Sequence, residues 1–441
     1  MYRHCKSHQP SQNRRLSHFA LATLLLLPAI CAALAAYFLP FTRPMGAYWA
    51  DALALATTGR IPQDFTPAGY PEVIAIGMRL LPEHRVAGVL VIQILLHVCI
   101  AVTTYACLRA LRVRTRSALI VALILQLHLE LLSSVPKVWD VPYSTLLLLL
   151  LELCLLKLAN REASLPLLVG TGVSFGLGVF ERPNFVLLAL PLALALRMRT
   201  HSLGRGRVGG KLSRPTVARL FGMPIGTAAV VYAACSFVAF HRLDTPHNGP
   251  YNLFAGHNQF TRVSLLSALN AEPSLMPALK ADGHAMSDAE THHKAAMPVL
   301  NKLAVQYAWT HPKEEIVLPA VKLLTLLRPD SKVHGLHDTQ GKVKALLALA
   351  VPFWLVVLLW RRRQLDAADR LLVLTAVCYV LPFLLTNSDP RFRTPLDLML
   401  LTHSVSLIET SSSRRRRAKA TDHQEEDVVM QQIPDESVSV A

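Results

Sequence analysis

Apolar runs of roughly 20 residues recur from one end of this chain to the other, and short clusters of arginine and lysine interrupt them. A run of that length crosses the hydrocarbon core of a bilayer as one helix. Lipid offers no partner to backbone N–H and C=O groups, so such segments must satisfy them internally as helices. The expected spans are 17–40, 86–108, 117–135, 142–156, 165–180, 185–196, 217–240, 344–360, 371–385 and 394–408. The fold class is therefore all-α: a polytopic membrane protein with about ten transmembrane helices and an external amphipathic-helix loop after the first span. The segment 185–196 is short for a full crossing, so 165–180 and 185–196 together read as a partly re-entrant hairpin.

The charge supports this reading. The 441 residues are 52% hydrophobic and only 17% charged, which excludes a disordered chain. A net charge of +16 would suit nucleic-acid binding if it formed a patch. Instead the basic residues sit in short connections: Arg109 to Arg116, Lys157 and Arg161, residues 197–214, Arg361 to Arg363 and Arg414 to Arg417. By the positive-inside rule these mark the cytoplasmic side, nucleic acid is not a partner, and both termini are cytoplasmic. The basic start before residue 17 also fits a cleavable signal peptide. A retained first span is the reading that agrees with the charge map. The expected organisation is a basic cytoplasmic tail over 1–16, a membrane domain over 17–410, and a disordered cytoplasmic tail over 411–441. Within the membrane domain lie a first external loop over 41–85 and a long external loop over 241–343.

Seven cysteines lie in apolar runs or the N-terminal tail, without the spacing of a zinc site or a disulfide framework. No phosphate-cradling glycine motif is present, which argues against an ATP-driven pump.

On this topology the polar residues that break apolar runs collect on the outer side: Asp51, Asp64, Asp140, Glu181, Arg182, Asp389, Arg391 and Arg393. Carboxylates and arginines around a cavity at the membrane surface suit sugar transfer from a lipid phosphate. A carboxylate takes the proton of the attacking hydroxyl. Arginines hold the departing phosphate. Asp51 is the candidate general base. Tyr70, Asp140, Arg182, Arg391 and Arg393 are the candidate substrate-binding residues, and Asp64 is a candidate second acid. Each has a plainer reading: Asp140 caps the span from Pro142, Arg182 snorkels to the headgroups, and Asp64 is a turn residue. His292 and His293 read as solvated surface.

The order of motifs resembles bacterial members of the glycosyltransferase C superfamily, similar to protein O-mannosyltransferases, the lipid A aminoarabinose transferase and rhizobial lipopolysaccharide core glycosyltransferases. The resemblance rests on Asp51, Gly59, Pro67, Gly69, Tyr70 and Pro71 in the first loop, and on Trp139-Asp140 before the fourth span. It continues through Gly176 to Asn184, Asn252 to Asn258, Ala304 to Pro329, and Pro390 to Pro395. It implies an inverting transferase that uses a polyprenyl-phosphate-linked sugar donor, with Asp51 as base, and an extracytoplasmic glycan, lipid or protein acceptor. The implied location is the inner (plasma) membrane, with the site facing the periplasm or exterior. Many relatives carry a second acid beside that Asp, whereas Ala50 and Ala52 stand here. No cofactor is assigned, and a divalent metal stays open.

Two other readings remain at this point. One is a transporter or flippase for lipid-linked sugars, which needs polar residues at mid-membrane such as His128, Glu130 and Glu152. The other is a non-catalytic membrane assembly subunit that keeps the fold.

Overall fold

Helices account for the regular structure, with no strand among the described residues. The computed structural model describes residues 10–38, 47–62, 65, 67–137, 139–160, 164–205, 214–268, 271–284, 286–327, 349–387 and 392–409. The expected tail over 411–441, together with Asp64, Asp389 and Arg391, lies outside them.

The chain opens with α1 (Pro10–Phe38), then the short α2 (Ala47–Thr58) and α3 (Gly69–Leu80). Next come α4 (Arg85–Ala110), α5 (Thr115–Leu125), α6 (Leu129–Lys137), α7 (Val141–Ala159) and α8 (Leu165–Glu181). A 3-10 turn over Pro183–Leu188 leads to α9 (Ala189–Arg205) and α10 (Arg214–Phe240). Five helices among the described residues are long and apolar enough to cross a membrane, and the bent pair α5–α6 makes a sixth if it counts as one span. The chain is thus a polytopic membrane protein.

The expected span 117–135 is not one straight helix. α5 and α6 meet at an angle of 51°. The break falls at Gln126 to His128, where polar side chains interrupt the apolar run. Both are buried, and His128 Nε2 lies 3.5 Å from Asp397 Oδ2. A backbone break at membrane depth is tolerated when protein surrounds it.

Small residues set the closest packing. A Cβ on Gly172 of α8 would fall 2.5 Å from the Pro224 carbonyl oxygen of α10, and one on Gly176 would fall 2.7 Å from that of Ala228. Glycine lets these two backbones touch. Such contact matters in lipid, where helices gain little from hydrophobic burial against one another.

The region expected as one long external loop carries a helical subdomain. Its described part comprises α11 (Gly249–Gly256), α12 (Thr261–Ala268), α13 (Leu275–Ala281), α14 (Asp288–Thr291), α15 (Met297–Thr310) and α16 (Pro312–Leu327). Phe254, Leu265, Leu275, Leu279 and Leu300 form its own apolar core. Phe65 from the first loop plugs into that core, edge-on to the Tyr251 ring at 5.3 Å and against the His292 ring at 4.3 Å. His292 is therefore half-buried against Phe65, while His293 is exposed. The helices Ala350–Arg361, Ala367–Leu385 and 393–409 complete the bundle.

Candidate functional site

The site is built at the bundle end where α2, α3, the start of α7, the end of α8 and the helical subdomain meet. Proline shapes two of its corners. Arg182 precedes Pro183 and takes an extended backbone, φ −144° and ψ 108°, because a following proline disfavours the helical region. That stops α8 and turns the Arg182 side chain toward α7. Pro142, in the first turn of α7, lacks an N–H that the helix would not have used there, so Asp140 stands at the helix entrance.

Arg182 and Asp140 form a buried ion pair. Arg182 Nε–H also donates to Ser144 Oγ at 2.8 Å, and its guanidinium lies over the Phe392 ring at 4.3 Å. These contacts hold the planar fork on three sides. Among the described residues they engage Nε and one Nη of the five-donor fork. The Tyr48 hydroxyl donates to Asp140 Oδ2 at 3.4 Å. The Ser144 hydroxyl lies 3.5 Å from Glu181 Oε1, so the two carboxylates bracket the arginine.

A cavity of about 180 Å³ opens over this pair. Tyr48 and Pro67 of the first loop form one wall, and Asp140 with Glu181 to Asn184 form the floor. Asn248, Gly249 and Asn252 at the start of α11 face them. Phe383, Thr386, Asn387 and Phe392 close the last side. Phe383 and Phe392 stack at 4.8 Å.

Of the candidates from the sequence that are described, Asp51, Tyr70 and Arg393 do not line this cavity. Asp140 and Arg182 line it. Asp51 is buried on α2, three residues after Tyr48 and so on the same helix face. Tyr70 is fully buried behind the wall, edge-on to Tyr48 at 5.5 Å, with its hydroxyl accepting from the Gln93 amide. Arg393 points elsewhere: its Nε lies 2.8 Å from Asp397 Oδ2, and an Nη donates to the Leu327 carbonyl oxygen at 2.8 Å. Asp64 and Arg391 lie outside the described residues.

Sequence reasoning missed the amides Asn248, Asn252 and Asn387 and the aromatic Phe392. Asn184 and Asn252 both stand inside motifs that carried the resemblance, which was the available signal. Among the described residues no group of three or more His, Cys, Asp or Glu converges to hold a metal ion.

Fold and cavity together define a class: a membrane-embedded helical bundle with a polar cavity at one end. No family model matches the chain, and no curated protein matches it. Among solved structures, its fold is similar to that of the archaeal oligosaccharyltransferase AglB from Archaeoglobus fulgidus, solved in complex with an inhibitory peptide and a dolichol-phosphate. The TM-score is 0.51 at 14% identity. The match covers 92% of this chain and 52% of that one, so this chain spans about half the length of its structural neighbour.

Proposed function

We propose that this protein is a membrane glycosyltransferase. It moves a sugar from a polyprenyl-phosphate donor to a hydroxyl of an extracytoplasmic glycan, lipid or protein acceptor, with inversion at the anomeric carbon. The observation that carries this reading is Arg182, fixed by Asp140, Ser144 and Phe392 at the floor of a polar cavity beside the membrane. A lipid phosphate reaches such a place from the bilayer side. The neighbour's complex with a dolichol-phosphate, which is a polyprenyl phosphate, agrees with this class of donor.

In the reaction the acceptor oxygen attacks the anomeric carbon as the bond to the phosphate oxygen breaks. The bonding pair leaves with the lipid phosphate. Arg182 stabilises the charge that develops there, in a site of low dielectric where a fixed donor is worth most. The hydroxyl proton passes to the Asp51 carboxylate, the base that the family resemblance assigns. Asp140 keeps Arg182 in place and Tyr48 bridges the base helix to that pair. The cavity faces the periplasm or exterior of the inner (plasma) membrane.

The test is a mass-spectrometric comparison of surface glycans and glycolipids. It uses cells lacking the protein, cells with it, and cells with Asp51→Asn at equal membrane abundance. The expected result is a glycosylated product only with the unaltered protein. An unchanged profile in all three would falsify the transferase reading, and a product restored by Asp51→Asn would remove Asp51 from the role of base.

A further inference from the structure

Past its first turn, α16 turns its polar side chains inward and its apolar ones outward. We infer that this helix lies in the face of the bilayer on the cavity's side, with Ile316, Val317, Ala320, Leu323 and Leu324 immersed among lipid acyl chains. This stripe lies apart from the cavity and supplies none of its lining. Its contact with lipid does not depend on the transferase reading.

From Glu315 onward, every polar residue of α16 faces the protein. Lys322 and Thr325 are buried, and Glu315 is half-buried. Glu315 and Lys322 stand seven positions apart, so they share a helix face with the buried Leu318, Thr325 and Leu326. The opposite arc carries Ile316, Val317, Ala320, Leu323 and Leu324, all exposed, with Ile316 at 79% and Leu324 at 65%. At 3.6 residues per turn these five cover about 120° of arc without one polar side chain. A helix packed on a protein in water has the reverse arrangement. Isolated exposed leucines need no explanation, whereas a contiguous apolar stripe marks a surface that something apolar covers.

The contacts of the inward face fix where the stripe lies. The ring of His257, just past α11, sits between the two charged residues. Its Nδ1 is 2.7 Å from Glu315 Oε2, and its Nε2 is 3.2 Å from Lys322 Nζ. The same Nε2 lies 2.7 Å from the carbonyl oxygen of Leu385, the last residue of the membrane-crossing helix Ala367–Leu385. Further along α16, the Leu327 carbonyl oxygen accepts from an Arg393 Nη at 2.8 Å, at the start of the helix 393–409. One helix thus rests on the neighbouring ends of two bundle helices, so α16 lies across that end of the bundle instead of reaching away from it. The helix Ala367–Leu385 turns its own apolar row outward, Val377, Leu381 and Leu385, at four-residue spacing. Such a row on a membrane-crossing helix faces lipid, and it ends where α16 is attached.

Lipid is the occupant that suits this stripe. The stripe is aliphatic throughout, with no aromatic ring and no side-chain hydrogen-bonding group. Docked protein surfaces draw on aromatic residues and on about one hydrogen bond per 100–200 Å², and acyl chains ask for neither. At the turn that leads into α16, Trp309 is 81% exposed and Lys313 is exposed. Tryptophan and lysine settle at headgroup level. The helix then lies in the plane of the interface, as amphipathic helices do on membranes, with its polar face held by protein instead of water. The subdomain is thereby seated on the bilayer. His257 ties that seat to α11, which brings Gly249 and Asn252 to the cavity.

The test is photocrosslinking of the full chain in native membranes. The photoreactive amino acid p-benzoylphenylalanine is placed singly at Ile316, Ala320 and Leu324, and at Lys280 on α13 as an exposed polar control. Leu323 replaces any stripe position whose variant does not reach the membrane abundance of the unaltered protein. After irradiation, mass spectrometry identifies what has become attached. The expected result is phospholipid attached at the stripe positions and none at Lys280. Attachment there to a second copy, to another protein or to another segment of this chain, without lipid, overturns the inference. An absence of any attachment at the stripe overturns it as well. So does lipid attached as heavily at Lys280, because the stripe then meets lipid no more than a polar surface does. Each of these outcomes leaves the transferase reading where it stands.

Discussion

Gly69 lies directly against Glu181: a Cβ built on the glycine would fall 2.8 Å from Glu181 Oε2 and 2.9 Å from its Cα. The contact seats the start of α3 on the end of α8. It thereby brings the first loop to the residue pair that begins the cavity floor. Because the closest backbone atom belongs to Glu181 itself, a methyl here cannot be accommodated by a rotamer change.

Gly69→Ala should therefore destabilise the folded chain by about 1–3 kcal/mol, the usual cost of overpacking. Thermal unfolding in detergent would measure it. Glu181→Ala on top of Gly69→Ala should not restore stability, since the Cα of residue 181 remains in the way. Full rescue by that second change would show that only the side chains clash.

The buried pair Asp140–Arg182 should behave as a unit. Removing either partner leaves a buried charge, so Asp140→Ala and Arg182→Ala should each cost about 3–5 kcal/mol. The double variant should cost clearly less than the sum of the two. Purely additive losses in such a cycle would mean that the two groups do not depend on each other. Arg182→Lys tests the shape of the fork: it keeps the charge but cannot hold Asp140 and Ser144 together. Its expected effect is a fall in transfer with little loss of membrane abundance.

Phe392 faces the guanidinium with a ring at 4.3 Å. Phe392→Leu keeps the apolar bulk and removes the ring's electrostatic attraction, worth about 0.5–2 kcal/mol. The predicted signature is a higher KM for the lipid donor with little change in kcat. A fall in kcat alone would place the ring's role in the chemical step.

Lys322 links pH to the docking of the helical subdomain. Its ammonium is buried in α16, with Nζ 3.2 Å from His257 Nε2. His257 in turn donates from Nε2 to the Leu385 carbonyl oxygen at 2.7 Å and places Nδ1 2.7 Å from Glu315 Oε2. Burial pushes Lys322 down from 10.5 to about 8, with Glu315 opposing the shift. Between those two values the unfolded chain keeps the proton and the folded chain loses it. Stability should rise with pH across that window, by roughly 3 kcal/mol in all, and stay flat with respect to this group below it. Unfolding temperatures recorded across the window should show the rise, and Lys322→Met should abolish it. The same rise in Lys322→Met would assign the effect to another group.

The all-helical membrane class was legible because transfer to lipid depends on the local count of apolar residues, whereas five or six of the ten expected spans pass as such among the described residues. The bend between α5 and α6 was not, since it depends on His128 lying against Asp397, far away in sequence. The short helices of the subdomain also escaped the reading: helices of seven or eight residues, such as α11 and α13, are too short for a hydrophobic period to stand out. At the site, Asp140 and Arg182 were legible as charges at the edges of apolar runs. The same argument suggested Arg393, which the fold commits to Asp397 and Leu327. Charge at a membrane edge marks a residue as constrained without saying what constrains it.

By itself, then, the sequence determined the medium, the helical class and the short list of charges that could do chemistry, because each follows from side-chain transfer energies summed over neighbouring positions. Tertiary structure alone decided that Tyr48, Asp140, Arg182, Asn252 and Phe392 share one cavity while Tyr70 and Arg393 lie behind it. That choice depends on helix ends meeting across the whole chain, through contacts such as Gly69 on Glu181 and Phe65 in the subdomain core. Packing of this kind is set by the shapes of distant surfaces, which no local window of residues contains.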